Sequence, residues 1–357
     1  MTKPLTTLTE TNRLETPAVL RQLVAAHRYL AELKGIAATI PNPEILISTL
    51  SLQEAKDSSE IENIFTTQDE LFQAEIFSNH SRNPAAKEVR RYAAALRSGF
   101  EQMRGDQIIT INRIVHFHRI LMDNDAGVRK LPGTVIKNLA TGKTVFTPPQ
   151  DPNEIQSLLT DLERFINDNA VCPVDPLIKM AIAHHQFESI HPFYDGNGRA
   201  GRILNSLFLV ANDLLDQPVL YLSDYIIKTK AEYYQLLQST RDTDNWEPWL
   251  LYMLRGVETT SKTTITLIEA IRKVMNDYED RIRSDLPKIY SYELLTNLFR
   301  HPYTKIEAVQ DELGVSRLTA SKYLSELTEK GFVEKHRLGK YNYYVNRPLI
   351  QIFERNF

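Results

Sequence analysis

The stretch His191-Pro192-Phe193-Tyr194-Asp195-Gly196-Asn197-Gly198-Arg199-Ala200-Gly201-Arg202 joins two apolar runs, LIKMAIAHHQFESI before it and ILNSLFLVANDLL after it. The first is expected to be a buried helix, and the second, apolar on nearly all sides, a core helix. The first is predicted to stop at or before His191, because a residue preceding proline is pushed out of the α region. The second is predicted to start near Gly196 or Asn197. Free backbone N–H groups at such a start, together with the positive end of the helix dipole, form an anion site before any side chain is counted. Gly196 and Gly198 let a phosphate approach the backbone closely, and Arg199 and Arg202, spaced i, i+3, can grip further phosphate oxygens. Such a loop suits a polyphosphate better than a lone carboxylate. Asp195 beside that anion calls for a divalent cation between them, as Mg²⁺ is held by one or two carboxylates plus substrate phosphates. His191 is the nearby group able to take a proton near neutral pH. Singly these features have plainer readings: a glycine turn, a satisfied interior histidine, solvated arginines. Together in one short run they describe a site for phosphoryl or nucleotidyl transfer.

The rest of the chain bounds that reading. At 357 residues, with 42% apolar and 24% charged residues, it is an ordinary globular composition with room for two or three folding units. A formal net charge of −3 provides no global field to recruit nucleic acid or an anionic membrane, so any nucleic-acid contact must be local. The single cysteine, Cys172, excludes an intramolecular disulfide and has no basic sequence neighbour to activate it. No apolar run reaches the length needed to span a bilayer, and the N-terminal stretch lacks the apolar core of a signal peptide. The expectation is a cytoplasmic protein without a membrane partner.

Helical periodicity marks residues 16–33, 45–65, 85–103 and 109–122. Residues 133–149, GTVIKNLATGKTVFTPP, hold two β-branched runs around Ala140-Thr141-Gly142-Lys143 and predict a β-hairpin. Gly142-Lys143-Thr144 is not a phosphate-binding P-loop, since Lys137 stands where that motif needs glycine. Asp151-Pro152 and Asp175-Pro176 each pair an N-cap with an N1 proline. Further helices are expected at 223–241, 246–254 and 257–283, the last long and charged. The expected organisation is an N-terminal helical region (1–105), a catalytic core (106–256), a connecting helix (257–285) and a compact C-terminal unit (286–357).

The twelve-residue loop resembles the signature of the Fic family, H-x-F-x-[D/E]-G-N-G-R-x-x-R, at every fixed position. The resemblance implies a mainly α fold, a helical core with a β-hairpin flap, and transfer of AMP from ATP to a Ser, Thr or Tyr hydroxyl of a target protein with release of pyrophosphate. Residue by residue it implies His191 as general base, Asp195 as the Mg²⁺ ligand and Phe193 as the anchor of the loop. Gly196, Asn197, Gly198 and Arg199 would cradle the α- and β-phosphates, with Ala200 and Gly201 in the same ATP-binding stretch, and Arg202 would take the γ-phosphate. Tyr233 and Tyr234 resemble a pair that packs against the nucleotide. The flap, residues 133–147, would dock the target by strand addition, and self-modification and homodimer formation both fit such a protein.

Ser58-Ser59-Glu60-Ile61-Glu62-Asn63 resembles the family's inhibitory motif, [S/T]-x-x-x-E-[G/N], with Ser58, Glu62 and Asn63 in its fixed places. Glu62 paired with Arg202 would deny that arginine to the γ-phosphate and misalign the α-phosphate for in-line attack.

The C-terminal stretch KIEAVQDELGVSRLTASKYLSELTEKGFVEKHRLGKYNYYV resembles a winged helix-turn-helix. The helices would be Glu307–Leu313 and Ser316–Lys330, turning at Gly314-Val315, with Phe332–Val345 as the wing. Arg317, Ser321, Lys322, Lys335, Arg337 and Lys340 would face DNA, while Glu326, Glu329 and Glu334 dilute the charge, so DNA and protein contact both stay open. Other functions open to the loop are a nucleotide-sensing winged-helix regulator, Fic-type transfer of UMP or phosphocholine, and a metal phosphohydrolase built from His184, His185, His191 and Asp195. The last lacks the His-Asp dipeptide of the common helical form.

Overall fold

A computed structural model describes residues 2–5, 8, 11–67, 70–71, 83–137, 141–300, 302–338 and 341–356. Among the described residues, five helices open on a Thr, Asn or Asp cap followed at once by proline. These are α1 (Pro17–Ala37), α2 (Pro43–Ile61), α3 (Pro84–Met103), α5 (Pro152–Asn167) and α6 (Pro176–Ile190). In each the cap side chain accepts a backbone N–H of the first turn, and the proline fills a position whose own N–H would be unpaired. Helix α4 (Ile111–Met122) is capped by Thr110 without a proline. Helix α7 (Asn197–Ala211) starts on Gly196 with no side-chain cap, leaving its first N–H groups free of a capping side chain.

Helices α6 and α7 pack together at the centre, with α5 against α6 and both α3 and α4 against α7. From Leu177 to Ile190 every residue of α6 is buried, so its polar side chains must find partners inside the protein. Between α4 and α5 the chain forms the predicted hairpin, β1 (Ile136–Lys137) and β2 (Thr144–Phe146), paired antiparallel with Ile136 opposite Phe146. Ala140 of its predicted turn lies outside the described residues, while Gly142 takes φ +67, as a hairpin turn requires.

Two expectations fail, for opposite reasons. The helix predicted over 223–241 is two, α8 (Leu222–Lys228) and α9 (Lys230–Thr243). Thr229 ends one and starts the other, its hydroxyl bonding the Tyr225 carbonyl (2.7 Å) and the Tyr252 hydroxyl (2.8 Å). The helices predicted over 246–254 and 257–283 are one, α10 (Glu247–Asp285), running unbroken through Gly256. A Cβ at Gly256 would lie 3.0 Å from the Tyr225 ring, so that glycine admits α8 against α10 and breaks nothing.

α10 packs along α1 and reaches the C-terminal unit: α11 (Tyr292–Arg300), β3 (Tyr303–Thr304), α12 (Ile306–Leu313), α13 (Arg317–Glu329), β4 (Glu334–Leu338), β5 (Tyr341–Val345) and α14 (Arg347–Asn356). Strands run β3-β5-β4, all antiparallel, and α12 and α13 lie between β3 and β4 in chain order. Gly314 at φ +63 ends α12, and Ser316 caps α13. The closing helix α14, which returns onto α10, is not anticipated from the sequence. Lys340, assigned to the wing, lies outside the described residues. Helix α2 touches α3, α7 and α8 of the core and also α11 of the C-terminal unit. Among the described residues no helix is long and apolar enough to cross a membrane.

Candidate active site

α6 ends where the sequence requires. His191 turns into the left-handed region (φ 50, ψ 60) while its N–H bonds the Phe187 carbonyl at 2.9 Å, and Pro192 cannot continue the helix. The loop then closes on itself through Asn197, whose side chain accepts from the Phe193 N–H and donates to the Phe193 carbonyl, both at 2.8 Å. That amide is committed to the loop, so Asn197 can cradle phosphate only through its backbone N–H. Phe193 is buried, stacked on His118 of α4 at 3.6 Å between ring centroids, and His118 Nε2 bonds the Asp195 carbonyl at 2.8 Å. Gly196 takes φ +76, and a Cβ there would lie 2.5 Å from Met122 Sδ. Asp195 is exposed, with Oδ1 accepting the Gly196 N–H at 2.7 Å. One exposed carboxylate at a helix start fits an Mg²⁺ ion that takes its remaining ligands from phosphate and water. Among the described residues no group of three or more His, Cys, Asp or Glu forms a self-sufficient metal site.

Burial, then the like charges of Arg129 and Arg241, push the His191 imidazole down to about 4. It is therefore neutral at pH 7 and free to accept a proton. Arg129, in the link between α4 and the hairpin, is fully buried beside it, and no sequence feature marks it. Its Nε donates to the His191 carbonyl at 2.8 Å.

Arg202 lies buried between α7 and α2. Its Nε donates to Ser58 Oγ (2.8 Å), and one terminal nitrogen donates to the Ser58 carbonyl (2.9 Å) and to Glu62 Oε1 (2.8 Å). Burial alone would depress this guanidinium; the opposing pull of Glu62, Tyr233 and Tyr92 wins and raises it, so it stays charged. The Glu62 carboxylate rests directly on Gly198, where a Cβ would come within 2.3 Å of Oε1. Asn63 sits just past the end of α2 at φ +63, and its amide oxygen accepts from Lys230 Nζ at 3.3 Å. Two further buried carboxylates, Glu54 and Glu188, feel the Arg202 charge and escaped sequence reading. Glu54 accepts from the Tyr92 hydroxyl (3.0 Å) and the Ser223 hydroxyl (2.5 Å), and burial raises it to about 8. Glu188, one helical turn before His191, is raised by burial to about 7. Neither announces itself in sequence, because a glutamate in a helix is ordinarily solvated.

Arg199 is also buried, held by Glu88 of α3 at 2.9 Å and touching Met122 Sδ at 3.3 Å. The two tyrosines separate. Tyr233 is 1% exposed, its hydroxyl 2.8 Å from His184 Nε2, so it belongs to the interior; Tyr234 is 45% exposed and alone offers a ring surface to a ligand. The phosphohydrolase reading fails on the same geometry, since His184 bonds Tyr233, His185 bonds the Leu237 carbonyl (3.1 Å), and burial pushes both imidazoles down to about 3. A cleft of about 550 Å³ borders the hairpin, lined in part by Val145, Phe146, Thr147, Ser189, Gln238 and Arg241.

Comparison with known proteins gives three matches in chain order. Residues 20–101 match the Fic/DOC family N-terminal region, 108–209 the Fic/DOC family, and 274–349 the C-terminal domain described as protein adenylyltransferase SoFic-like. The chain is 28% identical over 184 residues to protein adenylyltransferase fic-1 of Caenorhabditis briggsae, covering 51% of this chain and 34% of that protein. It is 41% identical over 71 residues to a probable protein adenylyltransferase of Aquifex aeolicus, covering 20% and 21%. The chain thus spans about a third or less of the length of these curated relatives. A crystal structure of a Fic family protein from Desulfovibrio desulfuricans shares the fold, with TM-score 0.57 and 21% identity over 92% of this chain and 96% of that one. The uninterrupted loop motif, the helical core that presents it and the three successive matches agree: the chain belongs to the Fic family.

Proposed function

We propose that this protein is an adenylyltransferase that moves AMP from ATP to a Ser, Thr or Tyr hydroxyl of a target protein, and that Glu62 holds it inactive. The observation that carries the reading is the Glu62 carboxylate, seated over Gly198 and paired with Arg202 at 2.8 Å. Gly198 and Arg202 are where a helix-start phosphate cradle would need open space and a free cation. A carboxylate there occupies the place of a phosphate with a like charge. The relatives named protein adenylyltransferase support the same reaction class.

With Glu62 withdrawn, the N–H groups at the start of α7 receive the inner phosphates, Arg199 and Arg202 the outer ones. Mg²⁺ held at Asp195 would offset negative charge on the phosphate oxygens. The target segment pairs with a free edge of the two-stranded hairpin, which sets its backbone without demanding a particular sequence. His191, neutral at pH 7, takes the hydroxyl proton as the target oxygen bonds the α-phosphorus and the bond to the β-phosphate oxygen breaks, releasing pyrophosphate. Because Arg202 would hold the far end of the triphosphate, its capture by Glu62 disturbs the alignment needed for that in-line displacement.

Mass spectrometry of the Glu62→Gly protein, incubated with each candidate donor and Mg²⁺, tests the reading. AMP is expected on the protein itself and on lysate proteins with ATP, and none when His191→Ala is added. A different added mass would reassign the donor; no label from any nucleotide would refute adenylyl transfer.

A further inference from the structure

Arg129 is fully buried, yet no carboxylate pairs with it among the described residues. A buried guanidinium without a counter-ion is costly, so what it binds instead is informative. Its Nε donates to the His191 carbonyl (2.8 Å) and a terminal nitrogen to the Ile190 carbonyl (3.2 Å) and the Pro149 carbonyl. Its own backbone N–H donates to the Pro192 carbonyl at 2.9 Å. Three of these acceptors are the end of α6 and the first residues of the catalytic loop. The fourth, Pro149, is the foot of the hairpin on its far side, while Arg129 itself lies just before the near side.

Two further ties repeat the connection. The exposed Tyr194 hydroxyl of the loop accepts the N–H groups of Lys130 (3.0 Å) and Leu131 (3.2 Å). Gln150 bridges the two hairpin stems, accepting from the Gly133 N–H (2.7 Å) and donating to the Thr134 (3.0 Å) and Pro148 (2.6 Å) carbonyls. His191 sits in a left-handed conformation, which is strained for a residue with a side chain. The bond from Arg129 to its carbonyl helps to hold it there.

We infer that Arg129 is a positioning residue that fastens both stems of the hairpin to the backbone of His191, so that a target strand docked on the hairpin presents its hydroxyl to the imidazole. This rests on the adenylyl-transfer reading. Its physical content is that alignment is carried by backbone carbonyls, which no target side chain alters. Arg129 also faces His191 as a like charge from the link before the hairpin, with Arg241 from α9 acting in the same sense and Glu62 from α2 and the Glu188 carbonyl from α6 opposing. A lysine here would keep the charge without reaching carbonyls on both sides.

The test compares Arg129→Lys and Arg129→Gln in the Glu62→Gly protein, with thermal unfolding to establish that each is folded. Both are expected to lose about 10- to 100-fold in kcat while KM for ATP stays within about twofold, because the phosphate cradle is untouched. In Arg129→Gln the His191 imidazole, titrated by NMR without nucleotide, should rise toward its ordinary value and carry the acid limb of the rate profile with it. In Arg129→Lys it should stay. Folded variants with parental kcat, or an unmoved His191 titration in Arg129→Gln, overturn the inference. If Arg129→Gln does not fold, Arg129→Lys decides it: parental kcat, or a loss matched by KM for ATP, overturns it. An inactive Glu62→Gly parent would refute adenylyl transfer instead, and the nucleotide-free titration would still decide the Arg129 contact.

Discussion

Arg202 holds two oxygens of Ser58 and one of Glu62, but only the Glu62 side chain can leave without moving helix α2. Ser58 is fully buried, whereas the Glu62 side chain is 35% exposed and so has somewhere to go. Activity and stability should therefore move in opposite directions on Glu62→Gly. The buried guanidinium loses its counter-ion, which costs about 1–3 kcal/mol once the partial exposure of Glu62 is discounted, while AMP transfer rises. Paired calorimetry and transfer assays check this, and a more stable, more active variant would show that the pair does not work as described. Glu62→Gln, which keeps a hydrogen-bonding group and drops the charge, should fall between the two proteins in transfer rate.

At the scale of the element, the Glu62–Arg202 pair proposed to be inhibitory depends on how α2 ends. Glu62 is the last cap residue and Asn63 follows at φ +63, a position that favours glycine or asparagine. That geometry explains why either residue suits the place after the glutamate. Asn63→Gly should leave inhibition nearly intact, whereas Asn63→Val should cost about 1–2 kcal/mol and partly release activity by shifting Glu62. Equal transfer rates in the two variants would contradict it. The close approach of α7 to α6 gives a second test. A Cβ at Gly201 would fall 2.6 Å from Glu188 Oε1 and 3.2 Å from both His184 and Phe187, all buried. Gly201→Ala should destabilise by about 1–3 kcal/mol in chemical denaturation, although alanine is the better helix former.

Across the whole molecule, burial sets two opposing pH dependences. His184, His185 and His191 are depressed from 6.5 to about 3, 3 and 4, so the folded protein excludes protons that the unfolded chain binds, and this contribution is lost as pH falls below 6.5. Glu54 and Glu188 are raised from 4.5 to about 8 and 7, and Asp57 from 3.8 to about 6. Their contribution is present in acid and lost as pH rises through those values. Above pH 6.5, of these groups only the carboxylates still act, so they should make stability decline toward pH 8, and Glu54→Gln should flatten that slope in Tm measured from pH 6.5 to 9. An unchanged slope would mean that Glu54 is already ionised in the folded protein. Since α2 carries Glu54 and Asp57 and packs against both the core and α11, the same helix joins the site to the C-terminal unit.

What the sequence determined by itself was local chemistry. Asx-Pro and Thr-Pro pairs started helices, Gly142 turned the hairpin, and the run from His191 to Arg202 spelled a helix end, a loop and a helix start. Its Glu62 also stood out, through the spacing to Ser58 and Asn63. Fold class and loop were legible because capping, proline and glycine act within a few residues. Tertiary structure decided what depends on distant partners: that α10 runs through Gly256, that Tyr233 serves the core while Tyr234 faces outward, that Glu88 holds Arg199, and that Arg129 lies buried under His191. Nothing near Arg129 in sequence marks it, because its acceptors are backbone carbonyls, which every residue has. Only folding brings those of Pro149, Ile190 and His191 to one guanidinium.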